Sequence, residues 1–300
     1  MGKVYLGDEC IDEMYIQQIV EYKDVVVDVL KNPISRYVVD ENGVAKMIEG
    51  DLTNAFDDGL TVDEYGLYYA FYGCTELTGS IDFPELISVG EYGLSCTFDG
   101  CTGLTGSVSF PKLTSVRDYG LRYAFNNCTG LTGSVSFPEL ISIRSSGLSN
   151  AFDNCKGLTG SVSFPKLTSV EDSGLGATFY NCTGLTGSVS FPELTSIGSS
   201  GLSNTFNKCT RLTGSISFPK LTSVGNNGLN ATFYNCTGLT GSVSFPKLTT
   251  IGDHGLSNAF NNCKGLTEIH FRADVKAMIE AQYSYSSKFG ATNATIYFDL

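Results

Sequence analysis

Eight cysteines recur at a fixed interval along most of this 300-residue chain. Each follows the previous one by 27 residues, and they occupy positions 74, 101, 128, 155, 182, 209, 236 and 263. A period of 20–50 residues in many copies is typical of repeats that stack into a solenoid or an array. We therefore expect one elongated structure, in which each position of one coil lies over the same position of the next coil.

The pattern inside one repeat indicates which side chains face the core. With Cys155 as position 1, the apolar residues fall at positions 1, 4, 8, 10, 13, 16, 21 and 25. The alternation in Ser161–Phe164 predicts a short strand with one buried face, and Pro165 ends it because proline cannot donate to the ladder. Gly160 and Gly174 recur in every unit, which predicts turns with positive φ. Parallel strands lie about 4.8 Å apart, so eight coils predict a rod on the order of 40 Å long.

Position 12 of the repeat carries charges that change sign along the chain. Five of the six neighbouring pairs are opposite in charge, so aligned coils would bring these side chains within reach of one another. Exposed ion pairs contribute about 0.2–1 kcal/mol each, which favours the register more than the overall stability. The residues at this position are Glu85, Lys112, Glu139, Lys166, Glu193, Lys220 and Lys247.

The phrases AFDNCKGLTGSVSFPKLTSV and AFNNCTGLTGSVSFPELISI resemble the BspA-like (Treponema pallidum type) leucine-rich repeats. That pattern runs A-F-x-x-C-x-x-L, then an apolar-x-apolar-Pro strand, then apolar-x-x-I-G. The units here are longer than the family's, which have about 23 residues, and the extra residues fall mainly between Val170 and Phe179. The resemblance covers roughly residues 60–267. It implies a leucine-rich repeat solenoid that acts in bacterial surface adhesion by binding host or microbial ligands, without catalysis.

Both ends of the chain depart from the repeat, which divides the sequence into three parts. We expect an N-terminal attachment segment at residues 1–46, the leucine-rich repeat solenoid at 47–267 and a C-terminal cap at 268–300. Residues 52–71 form a degenerate coil, because a solenoid needs an atypical end to cover its first core layer. The expected fold class is a repeat solenoid of short parallel β-strands in 27-residue coils, with a mixed N-terminal segment and an α/β cap.

Short motifs predict local elements in the two ends. Residues 11–30 fit an amphipathic helix that stops before Asn32-Pro33, or a strand, which the run Val25–Val27 favours. Residues 36–48 predict two strands joined at Asn42-Gly43. The opening KVYLGDECIDEMYI resembles short segments at the start of some phage tail-associated proteins. In the cap, EIHF, ADVKAMIEAQ and ATIYFDL predict a strand, a helix and a final strand.

The charge and the hydropathy pattern exclude several classes of partner. The net charge of −12 at pH 7 argues against binding to nucleic acid or to an anionic membrane surface. No run of about 18 apolar residues exists, so we expect no membrane insertion. The first residues lack a basic stretch followed by an apolar one, so no signal peptide is visible. We expect a virion-associated or cytoplasmic protein, or a bacterial cell-surface protein exported by another route.

The sequence predicts neither an enzyme nor a metal or cofactor site. Its two histidines, His254 and His270, lie outside any motif, and GxSxG is absent. Zinc sites need converging ligands, commonly CxxC pairs, and none occurs. Cysteines in register should instead point inward as small buried residues. Ten thiols without a signal peptide also suggest synthesis in a reducing compartment.

Tyrosines cluster in the first coils. Seven of the sixteen lie between residues 65 and 123, at positions 18 or 19, 22, 23 and 26, outside the apolar frame. Stacked coils would gather them into one patch near the N-terminal end of the rod. Tyrosine supplies a large amphipathic contact area at low entropic cost, so the patch is a candidate ligand-binding site; alternatively, the rings only cover the turns and pack on each other. The candidates are Tyr65, Tyr68, Tyr69, Tyr72, Tyr92, Tyr119 and Tyr123.

These observations predict a non-catalytic protein that recognises a protein or a cell-surface carbohydrate. Its contact face would be positions 17–19, 22, 23 and 26. The setting is adhesion at a bacterial surface or receptor binding by a phage tail, with residues 1–46 joining the rod to an assembly partner. The alternative is a structural or decoration component of a phage particle or other assembly, without a ligand of its own.

Overall fold

The computed structural model describes residues 62–282 and 288–300, together with five strands of two or three residues in the N-terminal part. The first two of these strands pair antiparallel, and so do the third and fourth, as predicted for residues 36–48. The helix or strand predicted at residues 11–30 lies outside the described residues. The five are β1 (Tyr5–Leu6), β2 (Glu9–Cys10), β3 (Tyr37–Val39), β4 (Ala45–Met47) and β5 (Gly50–Asp51).

Each full coil contains two short strands that stack on the same strands of the neighbouring coils. The first strand lies within the segment predicted at Ser161–Phe164 but is shorter, because it stops before the Phe in every coil except that of β19, which includes the Phe before the proline. After β6 (Leu77–Thr78), the first strands are β7 (Ile81–Asp82), β9 (Val108–Ser109), β11 (Val135–Ser136), β13 (Val162–Ser163), β15 (Val189–Ser190), β17 (Ile216–Ser217) and β19 (Thr240–Phe245). The second strands are β8 (Ser88–Val89), β10 (Ser115–Val116), β12 (Ser142–Ile143), β14 (Ser169–Val170), β16 (Ser196–Ile197), β18 (Ser223–Val224) and β20 (Thr250–Ile251).

The pairing confirms the predicted parallel solenoid. Every strand of a coil pairs with a strand 27 residues away, so that Val135 lies beside Val108 and Ile143 beside Val116. The second strands form one seven-stranded sheet, and the first strands form a three-stranded sheet and, with two C-terminal strands, a six-stranded one. β5 pairs in parallel with β6, and Val62 bridges to Val89, so the degenerate first coil keeps the same step.

The apolar frame read from the sequence forms the core. In the coil that begins at Cys155, all eight frame residues are at most 2% exposed. Phenylalanine rings of adjacent coils stack, as Phe152 and Phe179 do with centroids 5.4 Å apart. The two columns of phenylalanines also touch edge to face, for example Phe110 and Phe125 at 6.4 Å. Each inward residue therefore packs against its own copies above and below.

Positions 18–27 of each coil, which we call the turn ribbon, are a run of consecutive turns. Its N–H groups alternate between two kinds of acceptor: Gly174 N donates to Glu171 O at 3.0 Å within the coil, and Leu175 N donates to Gly201 O of the next coil at 2.8 Å. The ribbon thus satisfies its backbone donors without a helix or a regular strand. Positions 19, 23 and 27 have positive φ, as in Ser173 at 54°.

The predicted positive φ is found at Gly160, with 82°, but the prediction is wrong for Gly174. The positive φ belongs instead to Ser173, one residue earlier. A Cβ on Gly174 would lie 2.8 Å from Cγ1 of Val170. Glycine recurs at position 20 because the turn ribbon passes too close to the second strand for any side chain.

Three of the five opposite-charge neighbours at position 12 form ion pairs. The Nζ–Oε2 distances are 2.6 Å for Lys112–Glu85, 2.5 Å for Lys166–Glu139 and 2.6 Å for Lys220–Glu193. Each of these three lysines pairs with the glutamate of the coil before it. The side chains stay about half exposed, which limits each pair to the weak range expected for a surface ion pair.

The C-terminal elements follow the predicted order of strand, helix and strand. β21 (Gly265–Phe271) continues the sheet, and β22 (Thr295–Phe298) pairs with it in parallel. Between them lie two 3₁₀ turns and the helix α1 (Lys276–Gln282), with Val275, Ile279 and Phe289 buried against the last coil. With seven residues, α1 is far below the roughly 20 needed to cross a bilayer, and no described helix is long and apolar enough for that.

Candidate recognition surface

The seven candidate tyrosines, here the tyrosine patch, lie on the turn ribbons of the first three coils. Tyr65, Tyr92 and Tyr119 share position 19 and stack face to face, with centroids 5.1 and 4.8 Å apart. Tyr68 meets Tyr65 and Tyr92 edge-on at 5.8 and 5.9 Å, and it also meets Tyr69 at 4.5 Å. The structure therefore brings five of the seven rings into one contiguous group.

The remaining two tyrosines extend this group at its margins. Tyr72 contacts Tyr69 at 5.2 Å and is 43% exposed, more than any other ring of the patch. Tyr123 joins through Arg122, whose guanidinium carbon lies 4.9 Å from the Tyr123 centroid and 5.6 Å from that of Tyr119. The outer rings remain at least partly accessible, while the inner ones cover each other.

The backbone makes tyrosine an unusual choice at these positions. Tyr65, Tyr69, Tyr92, Tyr119 and Tyr123 all have φ between 54° and 57°. Later coils fill the same positions mostly with Ser, Ala or Asn, and Asn is the residue that tolerates this region most readily after glycine. A bulky side chain here is an outlier. Ring contacts of about 0.5–1.5 kcal/mol each offset that cost in the first coils.

Two small residues of the second coil form the floor under the patch. Ser95 is 2% exposed and Cys96 is 7% exposed, at positions 22 and 23. Ser95 Oγ donates to Arg122 O at 3.1 Å in the next coil. Burial raises the pKa of the Cys96 thiol, and burial together with the neighbouring Cys96 raises the pKa of Tyr69. Sequence reasoning missed both floor residues, because neither belongs to the apolar frame.

Carboxylates line one side of the position-19 stack. Glu64 and Glu91 stand at position 18, directly before Tyr65 and Tyr92, and both are exposed; we call these two residues the acidic border. Tyr65 N donates to Glu91 O at 2.8 Å, so the two border residues lie in neighbouring coils in register. Glu91 also helps to raise the pKa of Tyr92, after burial and the adjacent tyrosines.

Asp118 holds position 18 in the third coil and differs from the acidic border in having partners. Its Oδ1 accepts the Ser145 N–H at 3.1 Å and lies 3.6 Å from Arg144 Nε. Among the described residues, no Lys or Arg forms an ion pair with either border residue. Sequence reasoning missed the acidic border, although a signal was present: residues 47–111 contain eleven Asp and Glu and no Lys, Arg or His.

The cysteine column is a structural feature of the core. Cys155 Sγ donates to Phe125 O at 3.0 Å, and the same bond to a phenylalanine carbonyl recurs at 2.9–3.0 Å for the other column cysteines from Cys101 to Cys263. Burial raises the pKa of these thiols, which keeps them protonated. In the described ranges all nine cysteines are free, and no group of three His, Cys, Asp or Glu could hold a metal ion. Cysteine suits this position because it is small and can donate to a buried carbonyl.

The two histidines occupy unrelated places. His270 lies between Asp299 at 3.0 Å and Glu268 at 3.2 Å, and its ring stacks on Tyr297. The hydrogen bond with Asp299 raises the pKa of His270, and the contact links β21 to the residue that follows β22. His254 is exposed on the last turn ribbon, with Nδ1 3.4 Å from Ser257 Oγ.

Comparison with known proteins finds similar leucine-rich repeats in one family and in several solved structures. Residues 67–199, 96–230 and 203–294 match the family described as BspA type leucine rich repeat region. A Treponema pallidum leucine-rich repeat protein of solved structure is 21% identical over 87% of this chain and 99% of its own, with a TM-score of 0.42. No curated protein matches the sequence.

Two further solved structures are similar at comparable identity. A leucine-rich repeat protein from Bacteroides ovatus is 22% identical, with a TM-score of 0.38, over 76% of this chain. This chain spans 62% of the length of that protein. A leucine rich cell surface protein from Faecalibacterium prausnitzii is 19% identical over 77% of this chain and 78% of its own, with a TM-score of 0.24.

Proposed function

Because this chain belongs to the BspA-type leucine-rich repeat family, we propose that it is a non-catalytic recognition protein that binds a protein or carbohydrate surface through the tyrosine patch. The observation that carries the proposal is the placement of the seven rings. The same inward frame is buried in later coils that lack these tyrosines, so the fold does not require them. Accessible aromatic area that the core does not need is typical of binding surfaces.

The setting that the family favours is adhesion at a bacterial surface. The resemblance of residues 3–16 to phage tail-associated segments would place the same activity in attachment of a phage to its host. In both settings residues 1–46 serve as the docking piece, and the tyrosine patch meets the target.

Binding to surfaces tests this function directly. Fluorescently labelled protein is titrated onto a panel of bacterial cells and purified surface polysaccharides and proteins. The patch variant replaces Tyr65 and Tyr92 by Ser and Tyr72 by Asn, residues that later coils carry at the same positions. We expect saturable binding that the patch variant loses by at least about tenfold, equivalent to about 1.4 kcal/mol.

The matched control is Tyr234→Asn, which removes a tyrosine at position 26 of a late coil whose neighbours there are Asn207 and Asn261. This control variant should bind the same surfaces as the unsubstituted protein, with the same affinity. Binding retained by the folded patch variant would place the site on another face. An absence of binding to every surface would favour the structural or decoration role.

A further inference from the structure

The net negative charge of the protein is concentrated in residues 47–111, which contain five of the seven tyrosines of the patch. Residues 47–111 hold eleven acidic and no basic residues, whereas residues 112–300 hold eleven acidic and fourteen basic ones. The described part of the first stretch exposes Asp63, Glu64, Glu85 and Glu91 on its surface. The rod is therefore electrostatically polar, with an acidic N-terminal end and a slightly basic remainder.

The acidic border places two charges of the same sign at one position of neighbouring coils, Glu64 and Glu91. At position 12 each Glu with a Lys in the following coil forms an ion pair, at 2.5–2.6 Å. At position 18, Glu64 and Glu91 occupy the same place in two neighbouring coils, and parallel chains in register lie about 4.8 Å apart. Like charges opposite each other in a sheet are destabilising. A local arrangement that costs stability is a reason to look for a function.

Surface tyrosines of this protein already contact cationic side chains of the same chain. Arg122 lays its guanidinium over Tyr119 and Tyr123, at the basic end of the patch. In a late coil, Lys208 sits 4.9 Å from the Tyr180 centroid and donates to its hydroxyl at 2.7 Å. Such contacts contribute about 0.5–1 kcal/mol at exposed sites and more when desolvated.

We propose that the tyrosine patch and the acidic border together bind an arginine- or lysine-bearing segment of a partner protein. The inference rests on the proposed recognition function and names its partner class. A guanidinium inserted between the carboxylates of Glu64 and Glu91 would neutralise their repulsion and form charge-assisted hydrogen bonds. Its stem and neighbouring side chains would pack on the tyrosines. Arginine is favoured over lysine because its planar group matches both carboxylates and ring faces.

Other occupants fit the charge less well. A neutral polysaccharide would leave the stacked carboxylates uncompensated, and an anionic polymer would be repelled. The chain's own residues 1–46 carry nine acidic and five basic residues, so as a whole that segment is also repelled from an acidic surface. A basic partner is the class that both the carboxylates and the tyrosine rings at this end of the solenoid would attract.

The test uses the full chain and labelled octa-arginine, octa-lysine and octa-glutamate peptides, and fluorescence anisotropy measures their binding. The salt concentration is about 150 mM, because exposed charges are then screened beyond about 8 Å. We expect octa-arginine to bind more tightly than octa-lysine, and octa-glutamate not to bind. Glu64→Gln with Glu91→Gln should weaken octa-arginine binding at least tenfold. The control pair Asp253→Asn with Glu280→Gln removes the same charge elsewhere and should change it less than twofold.

Several results would overturn the proposal. If the Glu64/Glu91 variant and the Asp253/Glu280 control weaken octa-arginine binding equally, the peptide is attracted only by the overall negative charge of the protein. If octa-arginine does not bind at all, a basic partner is excluded. At least tenfold tighter octa-arginine binding by a Lys23→Gln, Lys31→Gln, Arg36→Gln variant would show that the chain's own N-terminal part fills the site. If a saturating excess of octa-arginine does not inhibit the binding to cells that depends on the tyrosine patch, the proposed recognition function is supported and the basic partner is excluded. If the protein binds neither cells nor peptides, both the recognition function and the basic partner are excluded.

Discussion

The first three coils and the later coils share one interior and differ on their outer surface. Phe98 in the second coil and Phe179 in the fifth are both 0% exposed, and both stack on equivalent rings in the adjacent coils. On the outer surface, the early turn ribbons carry tyrosines beside carboxylates, whereas the later ones carry mostly Ser, Ala and Asn at the tyrosine positions. The comparison shows that this solenoid separates two tasks: inward positions maintain stacking, and turn-ribbon positions are free to specialise.

The physical reason lies in how each group of residues is satisfied. An inward side chain packs against its own copies, so a change in one coil disturbs two neighbours. The turn ribbon is held by main-chain hydrogen bonds within and between coils, so its outward side chains carry little of the stability. Four predictions test this separation, from the largest expected effect to the smallest.

Truncating an inward phenylalanine should cost the same in both regions. Phe98→Ala and Phe179→Ala should each lower the free energy of unfolding by about 3–5 kcal/mol, as for other buried phenylalanines. Urea denaturation followed by circular dichroism measures both. A loss below about 1 kcal/mol in either variant would contradict the inward frame, and a large inequality would contradict the equivalence of the two regions.

Removing a core thiol should have a smaller effect, again equal in the two regions. Cys101 and Cys209 each donate to a buried phenylalanine carbonyl, and a typical hydrogen bond contributes about 0.5–1.5 kcal/mol. Cys101→Ala and Cys209→Ala should each cost about that much. Cys209→Ser keeps a donor, as Thr205 Oγ1 does toward Leu175 O at 2.7 Å, and should cost less. A serine variant less stable than the alanine variant would show that the donor is unimportant.

Two half-buried carboxyls on the turn ribbons should make stability depend on pH. Burial raises the pKa of Asp99 and of Asp153 to about 6. Because the folded pKa exceeds the unfolded value of about 3.9, the protonated form stabilises the fold; this contribution is complete below about pH 4 and is lost as the pH rises through 6.

Substituting these carboxyls separates their effect from other titrations. Asp153→Asn should raise the melting temperature at pH 7, leave it nearly unchanged at pH 4, and flatten its pH dependence in between. Asp99→Asn should do the same in the early region. Thermal melts across this pH range measure both, and a parallel shift at every pH would show that titration is not the cause.

Charge reversal at position 18 should distinguish the two regions. Glu91→Lys places a cation beside Glu64 and should raise the free energy of unfolding by about 0.2–1 kcal/mol. Asp253→Lys, at the same position of the last full coil, should change it less, because Asn226 rather than a carboxylate lies in the coil before it. Equal effects in the two variants, measured by chemical denaturation, would mean that the border residues do not repel each other.

The sequence was most informative about residues that are buried at the same position of every coil. Leu175 and Phe179 could be assigned to the core because every unit has an apolar residue there, and stacking forces equivalent residues to share one environment. The second strand was missed because Ser169–Val170 contains a single apolar residue, and its pairing partners are 27 residues away. The seven patch residues could be named from the sequence, and their role as a ligand site stays a prediction.

The 27-residue spacing by itself determined the solenoid, its inward frame and its parallel register, because identical units can bury their apolar faces only by stacking. Only the tertiary structure decided which residue adopts positive φ, that Ser95 and Cys96 are buried beneath the tyrosines, and which of its neighbours each lysine pairs with. It also brought the acidic border beside the ring stack. These features depend on distances between neighbouring coils, which no single unit of the sequence contains.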